Sequence, residues 1–188
     1  MKRLIALAAV LLIAAGLLTT LRSASAATNL IANPSAEQLG LDGNPIGWVG
    51  STWGDNDARY EVTHRATAGK RALRAEIDGY GWGDAKWYFD PVRVEPSTSY
   101  TFADSYRSNV RTYVTLDVVK ADGSHEYIPL PAAEPSGKRF ARYRTTFTTP
   151  ADAAEVTVLH SIASAGWLVT DKYSLSETND GPSTPTAR

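Results

Sequence analysis

The stretch Asn29-Leu30-Ile31-Ala32-Asn33-Pro34-Ser35-Ala36-Glu37 opens on a short apolar run, breaks it at Asn33-Pro34 and sets a carboxylate just past the break. A proline inside such a run ends it or confines it to a sheet edge, because the ring has no N–H to give a neighbour. Far along the chain, Gly166-Trp167-Leu168-Val169-Thr170-Asp171-Lys172-Tyr173-Ser174-Leu175 reads as a closing strand with a carboxylate in it. If the opening and closing strands lie side by side, Glu37 and Asp171 share one cation. The two ends then close a single body.

Between them, short runs of alternating polarity recur every dozen or so residues, separated by Gly, Pro and Asp. Ala58 to Thr63 alternates, and Leu73, Ala75 and Ile77 share a face. Ala121-Asp122-Gly123-Ser124 is a tight-turn signal. In the middle, Ser99 to Arg107 and Thr112 to Val119 read as a strand pair, with Val114, Leu116 and Val118 pointing to the core. No 3.6-residue periodicity appears after the first residues. The expected fold is all-β, a two-sheet antiparallel β-sandwich occupying residues 27–176. Residues 177–188 are rich in Ser, Thr, Pro and Gly with no apolar face, and are expected to be a disordered linker or tail.

Residues 1–26 read as a signal peptide. Lys2 and Arg3 precede an apolar stretch, and Ala24-Ser25-Ala26 offers a small-residue cleavage site. A secreted, extracellular protein is therefore expected. The chain carries 19 basic and 20 acidic residues, and cleavage removes Lys2, Arg3 and Arg22. The mildly acidic remainder argues against nucleic acid or an anionic membrane as partner. With no cysteine there are no disulfides and no thiol chemistry.

Five Trp and nine Tyr are more aromatic surface than a sandwich core of this size needs. Trp48 is expected in the core. Trp53 and Trp82 sit in Gly- and Asp-rich segments that read as loops, where a ring is hard to bury and is free to stack on the C–H face of a pyranose. If Val114, Leu116 and Val118 face inward, Tyr113, Thr115 and Asp117 face outward, and Tyr106 or Arg107 on the partner strand shares that face. Of Trp87 and Tyr88, one belongs to the core. Catalysis finds little support: His64, His125 and His160 have no metal-hydrolase spacing, and there is no Gly-x-Ser-x-Gly elbow or phosphate-cradling loop.

The opening stretch, Pro45-Ile46-Gly47-Trp48, Tyr100-Thr101-Phe102 and Thr170-Asp171-Lys172-Tyr173-Ser174-Leu175 together resemble the jelly-roll, galactose-binding-like carbohydrate-binding modules of bacterial secreted glycan enzymes. More narrowly, Tyr106-Arg107-Ser108-Asn109-Val110 and Gly166-Trp167-Leu168 resemble accessory modules attached to polysaccharide-deacetylase-type domains. Ala36 stands where that family has an aromatic, and Lys172 where it has a second Asp. The resemblance implies a structural calcium at a sheet edge, for which Glu37 and Asp171 are the candidates here, and no chemistry of its own. The expected function is a non-catalytic module that targets an attached enzyme, such as a C-terminal catalytic domain, or the cell to a polysaccharide or oligosaccharide. Trp53, Trp82, Tyr106, Arg107, Tyr113 and Asp117 are the candidate sugar contacts. The alternatives are a structural or adhesive module binding a protein partner, or a jelly-roll glycan lyase or hydrolase.

Overall fold

A computed structural model describes residues 28–178. The expected signal peptide and residues 179–188 of the expected tail lie outside the described residues. Nine strands run in chain order as β1 (Trp48–Thr63), β2 (Ala72–Phe89), β3 (Val92–Arg93), β4 (Ser99–Ser108), β5 (Thr112–Lys120), β6 (His125–Ala133), β7 (Ala141–Thr148), β8 (Ala153–Ile162) and β9 (Gly166–Glu177). All pair antiparallel, and the described residues contain no helix. The expected sandwich is there, with its last strand running to Glu177.

The two layers are joined through one long hairpin. The first part of β2, Leu73–Ile77, pairs with β9, and the later part, Ala85–Trp87, pairs with β8. One sheet therefore reads β1-β2-β9-β4-β7 (the β4 sheet) and the other β1-β2-β8-β5-β6 (the β5 sheet). Between these two stretches β2 pairs only with β1, and the register slips around Asn56. Gly54 and Gly83 face each other in this free ribbon at φ of 92° and 101°. A Cβ on Gly83 would collide with the Trp53 carbonyl, so only glycine lets the two backbones approach so closely. The segments that read as glycine-rich loops are thus the middle of two strands. Glycine there marks a bulged crossing, not a chain reversal.

The expected pairing of β4 with β5 does not occur. β4 lies between β9 and β7, and β5 between β8 and β6, in opposite layers. The link through Asn109-Val110-Arg111 carries the chain from one sheet to the other. The opening stretch is also not a regular strand. It runs along β9, with Leu30 N donating to the Leu175 carbonyl at 2.8 Å and Tyr173 N to the Pro34 carbonyl at 2.8 Å. β6 is an outer strand of the β5 sheet and carries Pro129 and Pro131.

Alternation fills the interior from both layers. Leu73, Ile77, Tyr100, Phe102, Leu168 and Leu175 come from the β4 sheet; Trp87, Phe89, Leu116, Val118, Val156 and Val158 come from the β5 sheet. Trp48 is in this core, its indole N–H on the Asn33 carbonyl at 2.8 Å. Trp87 is the core member of its pair with Tyr88. One polar tie crosses the apolar layer. Asp104 of β4 meets His160 Nδ1 of β8 at 2.6 Å, and His160 Nε2 meets Thr112 Oγ1 of β5 at 2.8 Å. Both Asp104 and His160 are 0% exposed, and the rings of Tyr106 and Tyr143 flank the imidazole with centroids at 5.2 and 5.5 Å.

Removing one member of a buried pair leaves the other without compensation, which costs about 3–5 kcal/mol. Asp104→Ala should lower stability in urea unfolding by that order. The double change Asp104→Leu with His160→Phe should cost less than the sum of the singles.

Candidate functional site

The hairpin turn Thr67–Arg71 is where the two ends of the chain meet. Asp171 Oδ2 accepts the backbone N–H groups of Thr67 at 2.7 Å and Ala68 at 2.8 Å. Glu37 Oε1 accepts those of Lys70 and Arg71, both at 2.7 Å. Gly69 lies between the two pairs, and a Cβ on it would strike the Glu37 carboxyl. Ala36 and Lys172, next to the two carboxylates, adopt left-handed φ values of 54° and 52°. Such values are costly for residues with a Cβ and persist where surrounding contacts fix them. Burial pushes the Asp171 carboxyl up despite its amide donors. At Glu37 desolvation is outweighed by the two amides and Arg71, and the net direction is down.

Calcium asks for six to eight oxygens, and here the carboxylate oxygens already face hydrogen-bond donors. Asp171 Oδ1 accepts the Lys172 N–H at 2.6 Å, and Glu37 Oε2 faces the Arg71 guanidinium at 3.4 Å. Among the described residues no three His, Cys, Asp or Glu side chains gather to hold a metal. The donor set fits two carboxylates clasping a turn of amides, with Arg71 supplying positive charge, and as arranged it does not fit a calcium ion.

Three of the aromatic candidates, Trp53, Trp82 and Tyr113, lie on the outer face of the β5 sheet and of the ribbon that leads into it. Trp53 and Trp82 pack edge to face with ring centroids 5.0 Å apart, yet remain 64% and 54% exposed. Strand register puts Trp53 opposite Asp84, and Lys86 opposite Ser161, which is opposite Tyr113. Tyr113 is exposed and lies three strands across and two residues along from Trp53, about 16 Å at the usual strand spacings. Lys86 is buried between them and paired with Asp84. Asp117 is on the same face, held by His125 Nδ1 at 2.8 Å, with exposed Tyr127 opposite it on β6. Lys86, Asp84, His125 and Tyr127 escape the sequence reading. For Lys86 the signal was its place beside core Trp87.

Tyr106 and Arg107 do not join this face. Tyr106 points into the core, its hydroxyl donating to the Glu134 carbonyl at 2.9 Å. Because β4 and β5 lie in different layers, Arg107 emerges on the opposite side of the molecule, in a cleft of about 410 Å³ with Arg65, Arg74, Lys138 and Trp167. The Thr112–His160–Asp104 chain has the order of a nucleophile, base and orienting acid, but it is sealed in the core where no substrate reaches it.

No family model and no curated protein matches this sequence. Solved structures do match. The xylan-binding CBM22-1 domain of Paenibacillus barcinonensis Xyn10C is similar at a TM-score of 0.59 and 14% identity, over 82% of this chain and 97% of that one. This is the fold of carbohydrate-binding modules. TmCBM61, solved with β-1,4-galactotriose, is similar at a TM-score of 0.53 and 15% identity, over 80% of this chain and 99% of that one. The enzymatically active domain of bacteriophage CBA120 tailspike protein 4 is similar at a TM-score of 0.58 and 13% identity, over 80% of this chain; the chain spans 21% of that domain's length.

Glu37→Gln weakens charge-assisted bonds to two amides and should cost about 1–3 kcal/mol in thermal or urea unfolding. The stability Glu37 adds is present above the ordinary glutamate value and fades as the pH falls through its lowered folded value. The variant should therefore lose less on acidification than the parent. Chelation should leave the melting temperature within about 1 °C. A rise of several degrees on adding calcium would show that the clasp opens to admit the ion.

Proposed function

We propose that this chain is a non-catalytic carbohydrate-binding module, and that its ligand lies along the outer face of the β5 sheet. The observation that carries this reading is the Trp53–Trp82 pair: two indoles left more than half exposed on a rigid strand crossing. Single exposed apolar side chains are ordinary, but two large rings in contact and both left in water form a contiguous patch of the kind that marks a recognition surface. Sugar rings present flat C–H faces to such indoles, while Asp84, Lys86, Tyr113 and Asp117 supply hydrogen bonds for hydroxyls.

Structures of the same fold described as binding xylan and a β-1,4-linked galactotriose support a glycan as partner. The burial of the Asp104–His160–Thr112 chain supports a role without catalysis. The expected signal peptide supports action outside the cell, holding an attached enzyme or the cell on a polysaccharide. An enzyme domain that contains this fold over part of its length fits the first of these.

Affinity is expected to be modest, since each exposed polar contact gains little. In affinity gels cast with cellulose, xylan, galactan, chitin or peptidoglycan fragments, at least one polymer should retard the module. Trp53→Ala and Trp82→Ala together should abolish that retardation with the fold intact by circular dichroism. Retardation by none of these polymers, or unchanged retardation in the double variant, would turn the reading toward an adhesive module that meets a protein.

A further inference from the structure

On the opposite sheet, the cleft around Arg107 has a chemistry the aromatic face lacks. Register sets Glu61 opposite Arg74, Arg74 opposite Val169 and Val169 opposite Arg107, so one row of side chains crosses four strands. Trp167 rises next to this row. The Arg74 guanidinium lies 5.2 Å from the Trp167 ring centroid and that of Arg107 lies 5.4 Å from it. Arg107 also lies 5.4 Å from the ring of Phe140. Two aromatic rings thus hold the Arg107 guanidinium, while Arg65 and Lys138 complete a basic rim.

The charges in this cleft do not cancel. Arg74 pairs with Glu76 at 3.0 Å and, more loosely, with Glu61 at 3.9 Å; Glu76 also meets Arg59 at 3.5 Å. Glu61, the acidic residue lining the cleft, faces Arg74, and Glu76 is held by Arg74 and Arg59. Arg107 is 9% exposed, its Nε is buried with no hydrogen-bond partner, and it makes no ion pair among the described residues. Desolvation, and then the like charges of Arg65 and Arg74, push its pKa down. A buried cation without a counter-charge is costly unless an anion completes it. The guanidinium fork suits two oxygens of one acidic group.

We propose that this cleft is a second binding site, which takes the acidic group of a charged glycan on Arg107, flanked by Arg65 and Lys138. The acidic group is a uronic-acid carboxylate or a sulfate or phosphate ester, since all present paired oxygens to the fork. A volume of about 410 Å³ admits a sugar-sized group. A long nucleic-acid backbone would instead need a basic stripe, and this acidic chain gives no such stripe. The site is distinct from the Trp53–Trp82 face and does not depend on it.

The test uses residues 27–188 in affinity gels containing polygalacturonate, dextran sulfate or inorganic polyphosphate, with uncharged dextran as reference, and titrates galacturonate and sulfate oligosaccharides while following tryptophan emission. Retardation by at least one polyanion is expected, with affinity falling as salt rises. Arg107→Met should weaken it about tenfold or more, and Arg65→Ala with Lys138→Ala severalfold. Which polymer binds distinguishes carboxylate from sulfate or phosphate. Trp53→Ala with Trp82→Ala should leave polyanion binding intact, and Arg107→Met should leave neutral-glycan binding intact, so each site fails or stands alone. If Arg107→Met does not fold, the exposed Arg65→Ala, Lys138→Ala variant carries the comparison. Retardation by no polyanion, or equal retardation in parent and folded variants, would overturn the proposal.

Discussion

The close approach of Gly54 and Gly83 is the constraint on which the rest of the molecule depends. β2 serves both layers, so it must leave the β4 sheet and enter the β5 sheet within the few residues that pair with β1 alone. Two residues without side chains let the ribbon fold through that change with its backbones nearly touching. The same crossing turns Trp53 and Trp82 away from the core. The joint between layers and the display of the indoles are one feature.

The clasp at the hairpin turn does for the chain's ends what the crossing does for its middle. Two carboxylates, from segments far apart in sequence, each bind two adjacent amides of one turn. The Asp104–His160 pair ties the layers between these points. Polar contacts thus join distant parts of a body whose cohesion is otherwise apolar.

Most of the strands were legible from alternation alone, because period-2 burial is a local property of the chain. Their partners were not. Ser99–Arg107 and Thr112–Val119 are neighbours in sequence, and nothing in Asn109-Val110-Arg111 declares that this short link crosses between layers. That one error carried Tyr106 and Arg107 to the wrong face. Tyr106 was recoverable: it shares parity with Tyr100 and Phe102, so it had to point inward. Gly79 to Gly83 misled for a different reason, since glycine is required both where a chain turns and where two backbones crowd. Glu37 and Asp171 were expected close together as the chain's two ends, but whether a carboxylate there meets a cation or the amides of a turn is decided by backbone direction, which composition does not encode. The basic cleft needed three strands in register before Arg74, Arg107 and Trp167 became neighbours.

Pro129 and Pro131 on the outer strand β6 carry a consequence for life at high concentration. An open strand margin is a template onto which any extended chain will zip, a second copy of the same chain included. A ring in place of an amide hydrogen removes rungs from that ladder. Fewer rungs are therefore open along β6, and another extended chain has less there to pair with than on an unbroken margin.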